Sequence, residues 1–136
     1  MNADTTPIAA DVSRERLDSP SGVIIGAAQR VSSSLGCGFL EKVYENSLVI
    51  ELGKKALSVR QQRIVQVFYD GVVVGDYFPD LVVEDAILVE LKTVVALDAV
   101  HRQQCINYLR ATGYRVCLLM NFGRPRLDVN RLVWNF

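Results

Sequence analysis

Residues 69–72, Tyr69-Asp70-Gly71-Val72, constrain this chain most, because Asp-Gly between runs of β-formers is a strong signal for a tight hairpin turn. Residues 59–68 before it and 72–83 after it are rich in valine and aromatic side chains, and 86–93 continues the pattern beyond Glu84-Asp85. Three strands are therefore expected, joined by the Asp70-Gly71 and Glu84-Asp85 turns. The preceding texture is different. Val23, Ile24, Ala27, Ala28 and Val31 recur at helical spacing behind Ser19-Pro20, a suitable helix start, and Gly36-Cys37-Gly38 ends that helix. A second helix is expected from about Phe39 to residues 53–55, burying Leu40, Val43, Tyr44, Leu48 and Leu52. A third runs from Asp98 to about Thr112, with Val100, Cys105, Tyr108 and Leu109 inward and Gly113 as its stop. Residues 115–121 and 127–134 read as closing strands. The order ααβββαββ predicts an α/β fold with a mixed central sheet flanked by helices. Residues 1–18 read as a flexible N-terminal tail and 19–136 as a single domain.

Of 136 residues, half are apolar, enough for one core without disulfides or a structural metal. The formal net charge is zero, which speaks against a protein coating a nucleic-acid backbone but not against one that touches it through a local patch. Cys37, Cys105 and Cys117 have neither metal-ligand spacing nor an even count, so reduced thiols are expected. There is no signal-peptide pattern at the start and no apolar run approaching the roughly 18 residues of a bilayer span, so the expectation is a cytoplasmic protein with no membrane attachment.

The chemistry concentrates in Phe78-Pro79-Asp80 and, nine residues later, Glu90-Leu91-Lys92. Glu90 and Lys92, two apart on a strand, project from one face, while Ile87, Val89 and Leu91 take the other. A carboxylate and an ammonium on a sheet among apolar residues cost desolvation energy unless something pairs with them. Two carboxylates and a main-chain carbonyl are the hard oxygen donors that Mg²⁺ or Mn²⁺ accepts, and a lysine beside them can hold or deprotonate a water. One geometric condition follows. A plain two-residue turn at Glu84-Asp85 would set Asp80 opposite Val89, pointing away from Glu90. An odd number of loop residues, or a bulge, is required to bring both acids to one face.

Pro79-Asp80…Glu90-Leu91-Lys92 resembles the P-D…E-x-K signature of the PD-(D/E)XK nucleases. Gly38-Phe39-Leu40-Glu41-Lys42-Val43-Tyr44 is similar to the G-x-x-E-x-x-Y motif of a small bacterial family within that superfamily. The similarity extends through Val100-His101, Gln104 to Leu109, and Asn121-Phe122-Gly123, with departures at Val31-Ser32 and Cys37. The resemblance implies a restriction-endonuclease-like core and a Mg²⁺- or Mn²⁺-dependent nuclease acting on DNA or RNA. It implies that Asp80, Glu90 and the Leu91 carbonyl hold the metal, that Lys92 positions the attacking water, and that Glu41 adds a further acid. By the same resemblance Gln104 and Tyr108 contact substrate. A non-catalytic binding module of the same fold is the alternative, and a homodimer or an unidentified protein partner stays open with it. The bland alternatives are a solvated helix residue for Glu41 and ordinary packing for Gln104 and Tyr108. His101 is expected to be structural, and Lys54, Lys55, Arg60 and Arg63 a solvated rim or a phosphate-contacting edge.

Overall fold

The computed structural model describes residues 4–7 and 19–134. Among them, the helices are α1 (Pro20–Leu35), α2 (Glu41–Lys54) and α3 (Ala99–Thr112). The strands are β1 (Asp4–Pro7), β2 (Val59–Gln61), β3 (Val65–Tyr69), β4 (Val72–Tyr77), β5 (Leu81–Val83), β6 (Ile87–Lys92), β7 (Val116–Asn121) and β8 (Asp128–Val133). Six strands form one sheet in the order β1-β8-β7-β6-β5-β2, and β3 and β4 form a separate hairpin. The β6–β7 pair is parallel and the other pairs are antiparallel, so the sheet is mixed, as expected.

Local chemistry sets the elements. Ser19 Oγ accepts the Gly22 N–H at 3.2 Å, Pro20 opens α1, and Gly36 closes it with φ of 70°. Asp98 caps α3 reciprocally with His101, the imidazole Nδ1 accepting the Asp98 N–H, so His101 is structural as expected. Asp70 and Gly71 both take positive φ, as the predicted Asp-Gly turn demands.

Alternation along the strands divides the core in two. Leu81, Val83, Val89, Leu91, Leu118 and Met120 pack under α1 and α2. Val82, Leu88, Cys117, Leu119 and Leu132 pack under α3 with Cys105, Leu109 and Tyr77. Both faces are covered, which explains why β7 is buried at every position.

Four details differ from the sequence reading. Residues 4–7, taken as part of a loose tail, form β1 on the β8 edge, where four consecutive pairings fix them; the rest of 1–18 lies outside the described residues. Residues 59–68 split into β2 and β3 at Gln62, which has φ of 53°. Residues 72–83 split into β4 and β5 around Pro79, which has no N–H to offer a ladder. The element order is therefore longer than ααβββαββ although the architecture is the expected one. Finally, Leu40, Val43 and Val100 are exposed rather than buried, because Leu40 and Val100 stand at or before the first helical turn and α2 buries only the narrow stripe of Tyr44, Glu45, Leu48 and Leu52.

Candidate active site

The site lies where β5 begins and β6 ends. The β5–β6 connection has three residues, Glu84, Asp85 and Ala86, and the pairing runs Val83 with Ile87, Val82 with Leu88 and Leu81 with Val89. Glu84 and Asp85 take φ of 55° and 51°, and the Ala86 N–H bonds the Val83 carbonyl at 3.0 Å. One more step of the same register sets Asp80 against Glu90. The odd loop that the shared face requires is present.

At that step side chains replace the ladder. The Asp80 N–H donates to Glu90 Oε2 at 3.1 Å, and the Leu91 N–H donates to Asp80 Oδ2 at 2.8 Å. The Tyr77 hydroxyl, from the end of β4, donates to Glu90 Oε2 at 2.6 Å. Lys92 is half-buried two residues further along the same face. Burial drives the electrostatics. It pushes the Glu90 carboxyl up to about 7, helped by Asp80 and opposed by the Tyr77 hydrogen bond and Lys92. Burial also raises Asp80; the Leu91 N–H opposes this, Glu45 and Glu41 add to it, and Lys92 works against them. The Tyr77 hydroxyl is raised too, by burial and by Glu90, so it stays a proton donor.

Helix α2 brings further acids to the same end of the sheet. The hydroxyl of Tyr44, fully buried, donates to the Gly36 carbonyl at 2.6 Å and accepts the Phe39 N–H at 3.2 Å, and its ring stacks on Phe122 at 4.8 Å. Tyr44 thus fastens the α1–α2 turn and fixes where α2 starts. Glu41 then reaches the end of β6, accepting the Thr93 N–H at 3.2 Å. On the far side Asn121 clamps the loop after β6: its Oδ1 accepts the Val94 N–H at 3.0 Å and its Nδ2 donates to the Val94 carbonyl at 2.9 Å. Gly123 lies so close that a Cβ there would fall 2.5 Å from the Val94 oxygen.

Asp80, Glu90, Leu91 and Lys92 therefore come together, and Glu41 sits at their margin. Gln104 and Tyr108 join from α3: Gln104 Nε2 bonds the Tyr108 hydroxyl at 2.8 Å, and the Tyr108 ring stacks on Tyr77 at 3.6 Å. Lys54 pairs with Glu51 at the opposite end of α2, and Arg63 pairs with Asp85, so neither stands at the site. Sequence reasoning missed Tyr77 and Glu45. Glu45 is buried, contacts Lys42 and Gln61, and stands four residues from Glu41, a helical spacing that carried the signal.

Among the described residues no group of three His, Cys, Asp or Glu side chains is close enough to form a ready-made metal cage. The donor chemistry nevertheless fits a hard cation. Two carboxylates face each other with their charge incompletely compensated, and the hydrogen bonds engage only Oδ2 of Asp80 and Oε2 of Glu90. Mg²⁺ is commonly held by one or two carboxylates and completes its shell with water and phosphate oxygens.

A family model described as the PD-(D/E)XK nuclease superfamily matches residues 18–132. No curated protein and no solved structure matches the chain. The match spans most of the sequence, and the chain belongs to the PD-(D/E)XK nuclease superfamily.

Proposed function

We propose that this superfamily member is a divalent-metal-dependent nuclease hydrolysing phosphodiester bonds of DNA or RNA, and that it falls in the G-x-x-E-x-x-Y family that its Gly38-to-Tyr44 segment resembles. The observation that carries the reading is the pairing of Asp80 with Glu90, with Lys92 on the same face of β6. Asp80, Glu90 and the Leu91 carbonyl would hold Mg²⁺ or Mn²⁺, with Glu41 available at the margin. The bound ion would supply Lewis-acid stabilisation of charge on the phosphoryl oxygens and a more acidic water. Lys92 orients the attacking water and offsets developing negative charge. Tyr77 holds Glu90 in place, and Tyr108, stacked on Tyr77 and bonded to Gln104, supports it from α3. Gln104, exposed on α3 and bonded to the Tyr108 hydroxyl, would be the group that meets substrate.

Among the described residues no helix is long and apolar enough to cross a membrane; the proposal is a cytoplasmic protein whose single domain takes in β1 together with the chain from residue 19 onward. The β3–β4 hairpin favours a second reading, a module acting through a second copy or another protein, because Phe68, Tyr69, Val72, Val73 and Val74 are all exposed on it. Calorimetric titration with Mn²⁺ tests the primary reading. Wild type is expected to bind and Asp80→Ala to lose binding; no heat with wild type would leave only the module.

A further inference from the structure

The mouth of the site has two unlike walls. Phe78, immediately before Pro79-Asp80, is 51% exposed, and Phe39 and Leu40, immediately before Glu41, are 48% and 79% exposed. All three stand within two residues of a site acid; Phe39, edge-on against Tyr44 and through it tied to Phe122, belongs to the β7 side, which leaves Phe78 as the aromatic of the β5 side. An exposed aromatic ring beside a phosphodiester-cleaving site offers a face on which an unpaired base can stack. The other wall is cationic. In the sheet order β7 flanks β6 on one side and β5 on the other, so the turn after β7 and the segment leading into β5 stand on opposite sides of Lys92. That turn carries Arg124 and Arg126, both exposed, and residues 113–127 contain no acid. Arg124 Nη1 donates to the Val95 carbonyl at 3.0 Å, which ties the turn to the loop following Lys92.

A duplex offers such a mouth phosphates on both sides and keeps its bases inside. An unpaired strand offers phosphates on one side and the faces of its bases on the other. Resting on the nuclease reading of this same site, we infer that the substrate is a single-stranded nucleic acid, its phosphates along Arg124 and Arg126 and a base stacked on Phe78. Aromatic stacking suits a protein of zero net charge, because it supplies affinity that counterion release cannot. Phe78 is thus a specificity-determining residue, not part of the hydrolytic machinery.

The test compares kcat/KM in Mg²⁺ for labelled 12-nucleotide DNA and RNA strands, alone and annealed to their complements. Single strands are expected to be cleaved at least about tenfold faster than duplexes. Phe78→Ala should lower the single-strand value by roughly 5- to 150-fold, the worth of one stacked base, and leave the duplex value unchanged. A second readout needs no catalysis: in EDTA, fluorescence of Phe78→Trp should be quenched on adding the single strand. Joint Arg124→Gln and Arg126→Gln should lower the salt slope of binding by about 1.4, at roughly 0.7 per phosphate contact. Cleavage of the duplex alone would overturn the single-strand assignment and leave the nuclease reading intact. Cleavage of neither form overturns both and hands the apolar wall to a protein partner. An unquenched Phe78→Trp with unchanged single-strand cleavage in Phe78→Ala removes Phe78 from the contact.

Discussion

Glu90 makes the metal-free protein less stable than its core would allow, and the size of the effect follows from the site. Its carboxyl is pushed from the ordinary 4.5 up to about 7 by burial and by Asp80. Between those two values the folded state binds more protons at Glu90 than the unfolded state does. Stability therefore falls as pH rises through this window, and the loss is complete above about 7. A difference of about 2.5 units at about 1.36 kcal/mol each gives roughly 3 kcal/mol at pH 8, before relaxation of the site reduces it. Glu90→Gln removes the charge but keeps an oxygen for the Tyr77 hydroxyl and the Asp80 N–H. It should therefore leave stability near pH 4.5 little changed and raise it by a few kcal/mol at pH 8. Urea denaturation in EDTA from pH 4.5 to 8.5, at equal m-values, measures the difference. Saturating Mg²⁺ should reverse the order, because only wild type gains binding energy. A variant that is no more stable than wild type at pH 8, with a pH-independent difference, would refute the claim that Glu90 is an inadequately compensated buried acid.

The remaining predictions concern the parts that place the site. Deleting Ala86 shortens the β5–β6 connection to two residues and turns Asp80 away from Glu90; calorimetry should show loss of Mn²⁺ binding in a protein that still unfolds cooperatively. Lys92→Ala should retain Mn²⁺ binding and lose hydrolysis; equal loss of both would make Lys92 a structural residue. Gly123→Ala forces a Cβ toward the Val94 oxygen and should cost about 1–3 kcal/mol in chemical denaturation, as overpacking does.

How far the sequence could be read differed with the range of the interactions involved. The helices, the Asp70-Gly71 turn and β7 were legible because each rests on local periodicity or turn chemistry. Asp80, Glu90 and Lys92 were legible because they lie within thirteen consecutive residues, so the register of one hairpin decides their geometry. What the sequence hid was longer in range. The third loop residue, Ala86, looks like the start of β6, and only the face that Asp80 must share argues for the offset. Tyr77 reads as an ordinary β-former until β4 is seen to stop beside Glu90. Glu45 on a helix is usually solvated; its burial arises because β2 and Gln61 fold over it. Leu40 and Val43 were expected inside because they share the helical spacing of Leu48 and Leu52. The helix start set by the Tyr44 hydroxyl leaves both at the surface.

The central claim is that Asp80 and Glu90 form the catalytic centre of a nuclease. Its most direct measurement is single-turnover hydrolysis of end-labelled DNA and RNA in Mg²⁺ by wild type, Asp80→Asn and Glu90→Gln. Wild type should cleave at least one substrate, EDTA should stop it, and each variant should be slower by more than about a hundredfold, beyond the cost of losing an outer-shell partner alone. Undiminished cleavage by either variant, or no cleavage by well-folded wild type, would contradict the account.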